Sequence, residues 1–259
     1  MGERVLYSIS DNVAYITLNR PEKRNALDDV TINELRTYFK NAEGDREVRV
    51  IVFKGEGPAF SAGADLDYLL KISKNSSLSN YEDSIGLREL LMDIYRSRKL
   101  VCAVVRGPAL AGGFGLVLAC DIVFASELGK FGFTEVKIGF VPAIVLNLAL
   151  RKMPESHARF LLLTGKIIDA SEALKMGIVR DIITDGEIEE EVTSTLKEFV
   201  ASTSGTAIAL TKELLATAKD LPFDTAMHYG AMMNAAARST DDFKIGINSF
   251  INKKKLEWR

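Results

Sequence analysis

Two apolar segments of this chain end in nearly the same way, and this similarity limits how the chain can fold. The first segment is Val50–Lys54, which runs through a glycine into Phe60-Ser-Ala-Gly-Ala-Asp-Leu66. The second is Val101–Arg106, which runs through a glycine into Pro108-Ala-Leu-Ala-Gly-Gly-Phe-Gly-Leu116. Each pattern predicts a buried strand, a glycine turn, an Ala-Gly step and the start of a helix. The chain therefore contains a weak internal repeat, which favours a stacked, solenoid-like core.

The two turns also predict a site that binds a negatively charged oxygen. A helix start leaves N–H groups without internal acceptors, and glycine lets the backbone approach a ligand closely. Two such turns directed at one point would offer two donors to one oxygen, as in an oxyanion hole. Gly112-Gly113 alone is equally consistent with a tight crossing of strand and helix. A phosphate-binding P-loop would require Lys-Ser/Thr after the glycines, where this chain has Phe114-Gly115.

Composition and charge narrow the possible partners. With 259 residues and a net charge of -2, the chain has room for one large domain and no basic field for nucleic acid or an anionic membrane. Cys102 and Cys120 lie in apolar runs, which predicts core thiols in a reducing compartment. Leu100–Ala125 is apolar but interrupted by Arg106 and Pro108, which favours a buried strand-turn-helix over a membrane span. The first residues lack the apolar stretch of a signal peptide, so we expect a cytoplasmic protein.

The remaining pattern predicts strand-helix units followed by helices alone. The predicted elements are a hairpin around Asp11-Asn12, helices at about Asp28–Asn41 and Tyr81–Arg98, a strand at Ile122–Ala125, a capped helix within Asp169–Gly177, a strand at Ile178–Ile183, and only helices after about Glu187. The Ser- and Asn-rich residues Lys71–Asn80 are predicted to form a mobile loop that borders the site.

Glu135 is the best candidate acid or base. It follows the apolar run Phe131-Gly-Phe-Thr, so it is either a salt-bridged structural group or a proton shuttle whose pKa burial would raise. Asp65 is more consistent with a helix cap than with catalysis. Asp121 is interpreted as a structural residue that bonds the backbone where a strand begins. His157 and His228 lie far from the turns in sequence, so a Ser-His-Asp system is unsupported. No cluster has metal-ligand spacing, so no metal site is expected.

In these residues the chain resembles the crotonase superfamily, the enoyl-CoA hydratase/isomerase family. The matching motifs are Thr17–Leu27, Phe60–Leu66, Gly107–Gly113, Ala119–Ile122, Phe131–Glu135, Thr164-Gly165, Ala170–Gly177 and Phe250–Lys255. The resemblance implies an α/β fold, a crotonase-like spiral of ββα repeats in residues 1–190 that carries the active site. It further implies a C-terminal helical trimerisation module in residues 191–259, which builds a homotrimer or hexamer.

The resemblance also implies a ligand and site residues. The ligand is an acyl-CoA thioester, so coenzyme A is part of the substrate, and no cofactor is permanently bound. The backbone N–H groups of Ala64 and Gly112 would hold the thioester oxygen of an enolate, with Glu135 as acid and base. The residues that would contact coenzyme A are Arg24, Ala26, Ala62, Asp65 and Leu66, with Phe250 and Lys253 reaching it from a neighbouring subunit. Local charge alone also makes the basic clusters Lys23-Arg24 and Lys253-Lys-Lys255 candidate phosphate contacts.

The departures from the family pattern bear on the reaction. Two-carboxylate hydratases of this family carry a glutamate three residues after the donor glycine, and here that position is Gly115. The glycine-rich segment that usually follows the second glutamate is changed to Gly139–Val145. A lone carboxylate suits proton movement between two carbons, as in 3-enoyl to 2-enoyl isomerisation. Glu135–Ala143 nevertheless resembles a branch of short-chain and methylglutaconyl-type hydratases with glycine at the same place.

Hydratase chemistry is therefore the favoured interpretation, and several alternatives stay open. They are an isomerase, a lyase, decarboxylase or thioester hydrolase on the same fold, and a non-catalytic CoA- or RNA-binding protein. The apolar character of Ile85–Met92 and Pro142–Leu148 predicts an unbranched or small branched acyl group. A carboxylated acyl group would instead require a cationic partner such as Lys137.

Overall fold

The computed structural model describes residues 3–256 and 258, which form an α/β fold. The strands are β1 (Val5–Ser10), β2 (Val13–Leu18), β3 (Val50–Gly55), β4 (Leu100–Val105), β5 (Pro108–Leu110), β6 (Ile122–Ser126), β7 (Lys130–Gly132), β8 (Ile168–Asp169) and β9 (Asp181–Ile183). The helices are α1 (Asp29–Gly44), α2 (Leu66–Ile72), α3 (Ser77–Tyr95), α4 (Gly112–Ala119), α5 (Val145–Lys152), α6 (Glu155–Thr164), α7 (Ala170–Lys175), α8 (Ile188–Ser202), α9 (Gly205–Ala218), α10 (Phe223–Ala237) and α11 (Asp241–Ile251). Over the described part of the chain, no helix has the length and apolar character that crossing a bilayer requires.

The strands form two sheets. The larger has the order β1-β2-β3-β4-β6-β9, and the smaller has the order β5-β7-β8. The β1–β2 pair is antiparallel, and β2, β3, β4, β6 and β9 pair in parallel. Asp11 and Asn12 join β1 to β2 with φ angles of 51° and 63°, as a two-residue hairpin turn requires. The predicted hairpin is confirmed.

The central strands are buried on both faces of the larger sheet. Ile51 and Phe53 point into the main core, which α1, α3 and α4 complete. Val50 and Val52 point into a second core on the other face, where α8 packs. Parallel strands buried in this way appear in sequence as continuous apolar runs, which is how β3 and β4 are recognised. Residue 190 lies inside α8, so the division of the chain at that point remains a prediction.

The C-terminal helices are fixed to the sheet through a buried cation. Lys212 of α9 contacts the Asp121 carboxylate and donates to the carbonyl oxygen of Lys99 at 2.8 Å. Asp121 also accepts from the Val101 amide at 2.8 Å, which confirms its predicted role at a strand entry. Helices α10 and α11 have no buried residue and expose the large apolar side chains of Phe223, Met227, Met232, Phe243, Ile245, Ile247, Phe250 and Ile251.

Capping residues explain where the helices begin, including α3, which begins earlier in the chain than the sequence analysis predicted. The predicted capped helix is α7, whose Asp169 side chain accepts from the Glu172 amide at 2.8 Å. The predicted loop at Lys71–Asn80 is too long, because α2 continues to residue 72 and α3 already begins at residue 77, which leaves only residues 73–76 outside the helices. Ser76 caps α3 by accepting from the Ser79 amide at 3.2 Å. The residue types that favour turns also favour helix caps, so composition alone misidentified this segment.

Candidate active site

The two glycine turns lie directly against each other. The Ser61 amide donates to the Pro108 carbonyl at 3.1 Å, and the Leu110 amide donates to the Ser61 carbonyl at 2.9 Å. Gly63 has a φ of +89°, and a Cβ there would lie 2.7 Å from the Ala111 Cβ and 2.9 Å from the Leu110 carbonyl oxygen. Only glycine permits this approach, so the residue fixes how closely the turns meet. The prediction that the two turns come together is confirmed.

Each turn carries one unused backbone donor into the same pocket. Ala64 and Gly112 both line this pocket, and no described residue accepts a hydrogen bond from either amide. Gly112 is the first residue of α4, where N–H groups have no internal acceptor. Ala111 before it has φ 50° and ψ −123°, a strained conformation for a residue other than glycine. The Ala111 amide donates to the Gly132 carbonyl oxygen at 2.8 Å, and the Ala111 carbonyl oxygen accepts from the Gly115 amide at 3.0 Å. These two bonds hold the peptide that carries the Gly112 amide.

Glu135 also lines this pocket, and one of the two oxygens of its carboxyl group has no hydrogen-bond partner among the described residues. The residue is 7% exposed, and the unpaired oxygen is Oε2. Burial raises the pKa of Glu135, and a hydrogen bond from its own backbone opposes the shift. Phe133 packs on Phe114 of α4 with ring centroids 4.7 Å apart, which ties this segment to the helix that begins with Gly112. A buried carboxyl group with one unpaired oxygen and a raised pKa is suited to accepting and returning a proton.

The pocket that contains these groups is largely apolar and continues into a polar one. It has a volume of about 360 Å³, and its apolar walls include Leu27, Ile32, Leu66, Leu69, Leu87, Ile138, Phe140, Val141, Pro142, Ile144 and Val145. The neighbouring pocket has a volume of about 450 Å³ and includes Lys23 and Lys137. Ala62, Ala64 and Thr134 line both, so the two form one cleft with the Ala64 donor at their junction.

Most of the predicted coenzyme A contacts lie in the polar part of the cleft. Ala26, Ala62, Asp65 and Leu66 line it. Asp65 also caps α2 by accepting from the Asp67 amide at 3.1 Å, and it pairs with Arg20 at 3.0 Å, so its predicted capping role is confirmed.

Three predicted contacts lie elsewhere. Arg24, Phe250 and Lys253 do not line either part of the cleft in this chain. Arg24 is exposed with a φ of 50°, and Phe250 is 84% exposed near the end of α11. Their contacts with coenzyme A remain predictions.

Side-chain packing fills the space beside Gly115, the position at which two-carboxylate hydratases of the family carry a glutamate. A Cβ on Gly115 would lie 2.2 Å from Val145 Cγ1 and 3.6 Å from Leu91 Cδ1. Val145 therefore occupies the space that a side chain on residue 115 would need. No local sequence signal relates these two positions, which are thirty residues apart, and the sequence analysis did not find the contact.

A polar pair in the apolar pocket was also missed. The Tyr68 hydroxyl donates to the carboxylate of Asp83, and both residues line the pocket. Tyr68 follows the Asp65 cap by three residues on α2, and Asp83 lies on the first turns of α3. Within the described residues, no group of His, Cys, Asp or Glu has an arrangement that would hold a metal ion.

Known proteins resemble this chain over nearly its whole length. The sequence model of the enoyl-CoA hydratase/isomerase family matches residues 8–259. A Thermus thermophilus protein, provisionally named an enoyl-CoA hydratase, is 41% identical over 243 residues, covering 94% of this chain and 96% of that protein. The (E)-benzylidenesuccinyl-CoA hydratase of Thauera aromatica is 30% identical over 257 residues, covering 98% of each chain. The solved structure of an enoyl-CoA hydratase from Shewanella pealeana matches with a TM-score of 0.93 at 28% identity, covering 99% of this chain and 96% of that one. The resemblance found in the sequence motifs is thus confirmed, and the chain belongs to the enoyl-CoA hydratase/isomerase family.

Proposed function

We propose that this protein is an enoyl-CoA hydratase in which Glu135 is the single acid–base group. The observation that carries the proposal is the shared pocket. It contains the Glu135 carboxyl, whose Oε2 has no partner among the described residues, and the two unused backbone donors of Ala64 and Gly112. These donors are suited to a thioester oxygen on which negative charge develops. Removal of one donor of this kind typically costs about 3–4 kcal/mol of barrier.

The reaction then proceeds through an enolate. The Glu135 carboxylate takes a proton from a water molecule as the water oxygen bonds to C3 of the 2-enoyl group. The electron pair of the double bond moves onto the thioester oxygen, where the Ala64 and Gly112 amides stabilise it. The protonated Glu135 next returns its proton to C2, which gives the 3-hydroxyacyl thioester. The raised pKa of Glu135 suits this cycle, because the carboxyl group must hold the proton between the two steps.

Isomerisation is a second candidate, and the packing at Gly115 favours it. Val145 and Leu91 surround residue 115 with apolar atoms, so no carboxylate of the described residues lies there to orient a water molecule. Glu135 would then take a proton from C2 of a 3-enoyl thioester and return it to C4. The same two backbone donors would hold the intermediate enolate.

The cleft also supports the proposed ligand. Its apolar part suits an unbranched or small branched acyl group, and its polar part contains Lys23 and Lys137, whose positive charges suit coenzyme A phosphates. No other bound cofactor is required, because coenzyme A arrives as part of the substrate.

The proposed assembly is a homotrimer or a hexamer. The exposed apolar side chains of α10 and α11 support this, and in such an assembly Phe250 and Lys253 would reach the coenzyme A of a neighbouring subunit. Sedimentation of the purified chain measures the assembly directly.

Two substrates and one substitution test the reaction. Crotonyl-CoA should lose its conjugated enoyl absorbance if the protein is a hydratase, whereas 3-hexenoyl-CoA should gain it if the protein is an isomerase. Glu135→Gln should abolish either change while butyryl-CoA still binds in calorimetry. Glu198→Gln, at an exposed position of α8, is the matched control and should retain full activity. Turnover that survives Glu135→Gln would overturn the mechanism, and absence of both absorbance changes would shift the assignment to another reaction of this fold.

A further inference from the structure

The Tyr68–Asp83 pair is an acidic feature in a pocket that is otherwise mainly apolar. The phenol of Tyr68 donates its hydrogen to Asp83 Oδ1. Burial raises the pKa of Tyr68, and the hydrogen bond to Asp83 and the charges of Asp83, Asp29 and Asp28 raise it further. The phenol therefore stays protonated and directed at Asp83. The Asp83 carboxylate lines this end of the pocket, which therefore disfavours anions.

Helix α3 gives the position of the pair relative to the backbone donors. Asp83, Leu87 and Leu91 are spaced four residues apart and so follow one face of the helix. Leu87 Cδ2 lies 3.7 Å from where a Cβ on Gly112 would stand. Asp83 lies one turn before Leu87 on α3, about 6 Å from it along the helix axis and on the side away from Gly115. That distance is within the reach of a short acyl chain whose thioester oxygen rests on the Gly112 amide.

We propose that the Tyr68–Asp83 pair selects the acyl group, admitting neutral short acyl chains and rejecting those that end in a carboxylate. This selectivity rests on the proposed action on acyl-CoA thioesters and specifies its substrate class. A carboxylate brought beside Asp83 would meet a like charge in a partly buried site, where salt screens little. A neutral chain of the same length meets no such repulsion and fills the apolar walls. Lys137 does not compensate, because it lines the polar part of the cleft.

Two saturated thioesters of equal chain length test the selectivity without requiring turnover. Pentanoyl-CoA and glutaryl-CoA differ by a terminal carboxylate, and their dissociation constants are measured by calorimetry on the wild-type protein, Asp83→Asn and Glu82→Gln. The Asp83→Asn side chain keeps an oxygen that can accept from Tyr68. Glu82→Gln removes the same charge at an exposed position that does not line the pocket, so it controls for net charge.

We expect wild-type protein to bind glutaryl-CoA at least 30-fold more weakly than pentanoyl-CoA. Asp83→Asn should narrow this ratio at least tenfold by improving glutaryl-CoA binding, and Glu82→Gln should leave it within a factor of two. Equal affinities in the wild-type protein, or an unchanged ratio in folded Asp83→Asn, would overturn the selectivity and leave the proposed reaction untouched. Absence of pentanoyl-CoA binding would overturn the proposed function itself.

Discussion

The contact between Gly115 and Val145 predicts strong coupling between these two positions. Alanine at residue 115 would place its Cβ 2.2 Å from Val145 Cγ1, far inside the normal carbon–carbon contact of about 3.5–4.0 Å. Overpacking of a buried site costs about 1–3 kcal/mol. Residue 115 lies within α4, and alanine stabilises a helix interior by up to about 1 kcal/mol relative to glycine, which offsets part of this loss. We therefore expect Gly115→Ala to lower the free energy of unfolding by about 1–2 kcal/mol.

Truncation of Val145 should relieve this loss in the double variant. Val145→Ala alone removes two buried methyl groups at about 0.8 kcal/mol each, and it leaves a cavity, so we expect a loss of about 2 kcal/mol. With both substitutions the new methyl group at residue 115 occupies part of the vacated space. The Val145 Cβ itself lies 3.1 Å from the new Cβ, so the fit stays tight and the relief is partial. The combined loss should be smaller than the sum of the single losses by about 1–2 kcal/mol.

Urea and thermal unfolding of the four proteins at one protein concentration measure this cycle. Gly86→Ala is the matched control, because Gly86 also lies inside a helix and a Cβ there would meet only Ile32 Cγ2, at 3.7 Å. That variant should gain about 0.5–1 kcal/mol. A shift of roughly 2–4 °C in Tm per kcal/mol is expected for a chain of this size. A Gly115→Ala protein as stable as the Gly86→Ala control, or losses that add within about 0.5 kcal/mol, would refute the packing argument.

Further predictions concern the carboxyl group and the turns. Burial raises the pKa of Glu135, so kcat/KM should begin to fall, as the pH is lowered, at a higher pH than it would with an ordinary glutamate, whose pKa is about 4.3. A pH–rate profile measures this fall. Since the folded pKa exceeds the unfolded one, the stability that Glu135 contributes is present below the unfolded pKa and is lost as the pH rises through the folded pKa. Glu135→Gln should therefore be more stable than the native protein at pH 7, by on the order of 1 kcal/mol, and lose this advantage below about pH 4 in urea titrations. Gly63→Ala should push the two turns apart and lower kcat by about 10²–10³-fold with butyryl-CoA still bound, and unchanged kcat would contradict the role given to their close approach.

The sequence predicts features that depend on neighbours along the chain. The hairpin at Asp11-Asn12, the cap at Asp169 and the buried strands β3 and β4 all follow from local chemistry or periodicity, and the structure confirms them. The meeting of the two turns is also foreseeable, because parallel neighbouring strands bring their carboxyl ends to the same edge. The contact of Val145 with residue 115 and the Tyr68–Asp83 bond join separate helices, so no local pattern contains them.

The absence of a second carboxylate beside the donor helix is a property of the packing and not of residue 115 alone. A glutamate there would need the space that Val145 fills, and Val145 is the first residue of α5 in the segment where the family's glycine-rich pattern is changed. A single substitution at residue 115 would therefore be opposed by overpacking, while a single truncation of Val145 would leave a cavity. Conversion to a two-carboxylate site requires both positions to change together. Under the proposed mechanism, this packing leaves Glu135 to perform both proton transfers, and the raised pKa that burial gives this residue is what fits it to do so.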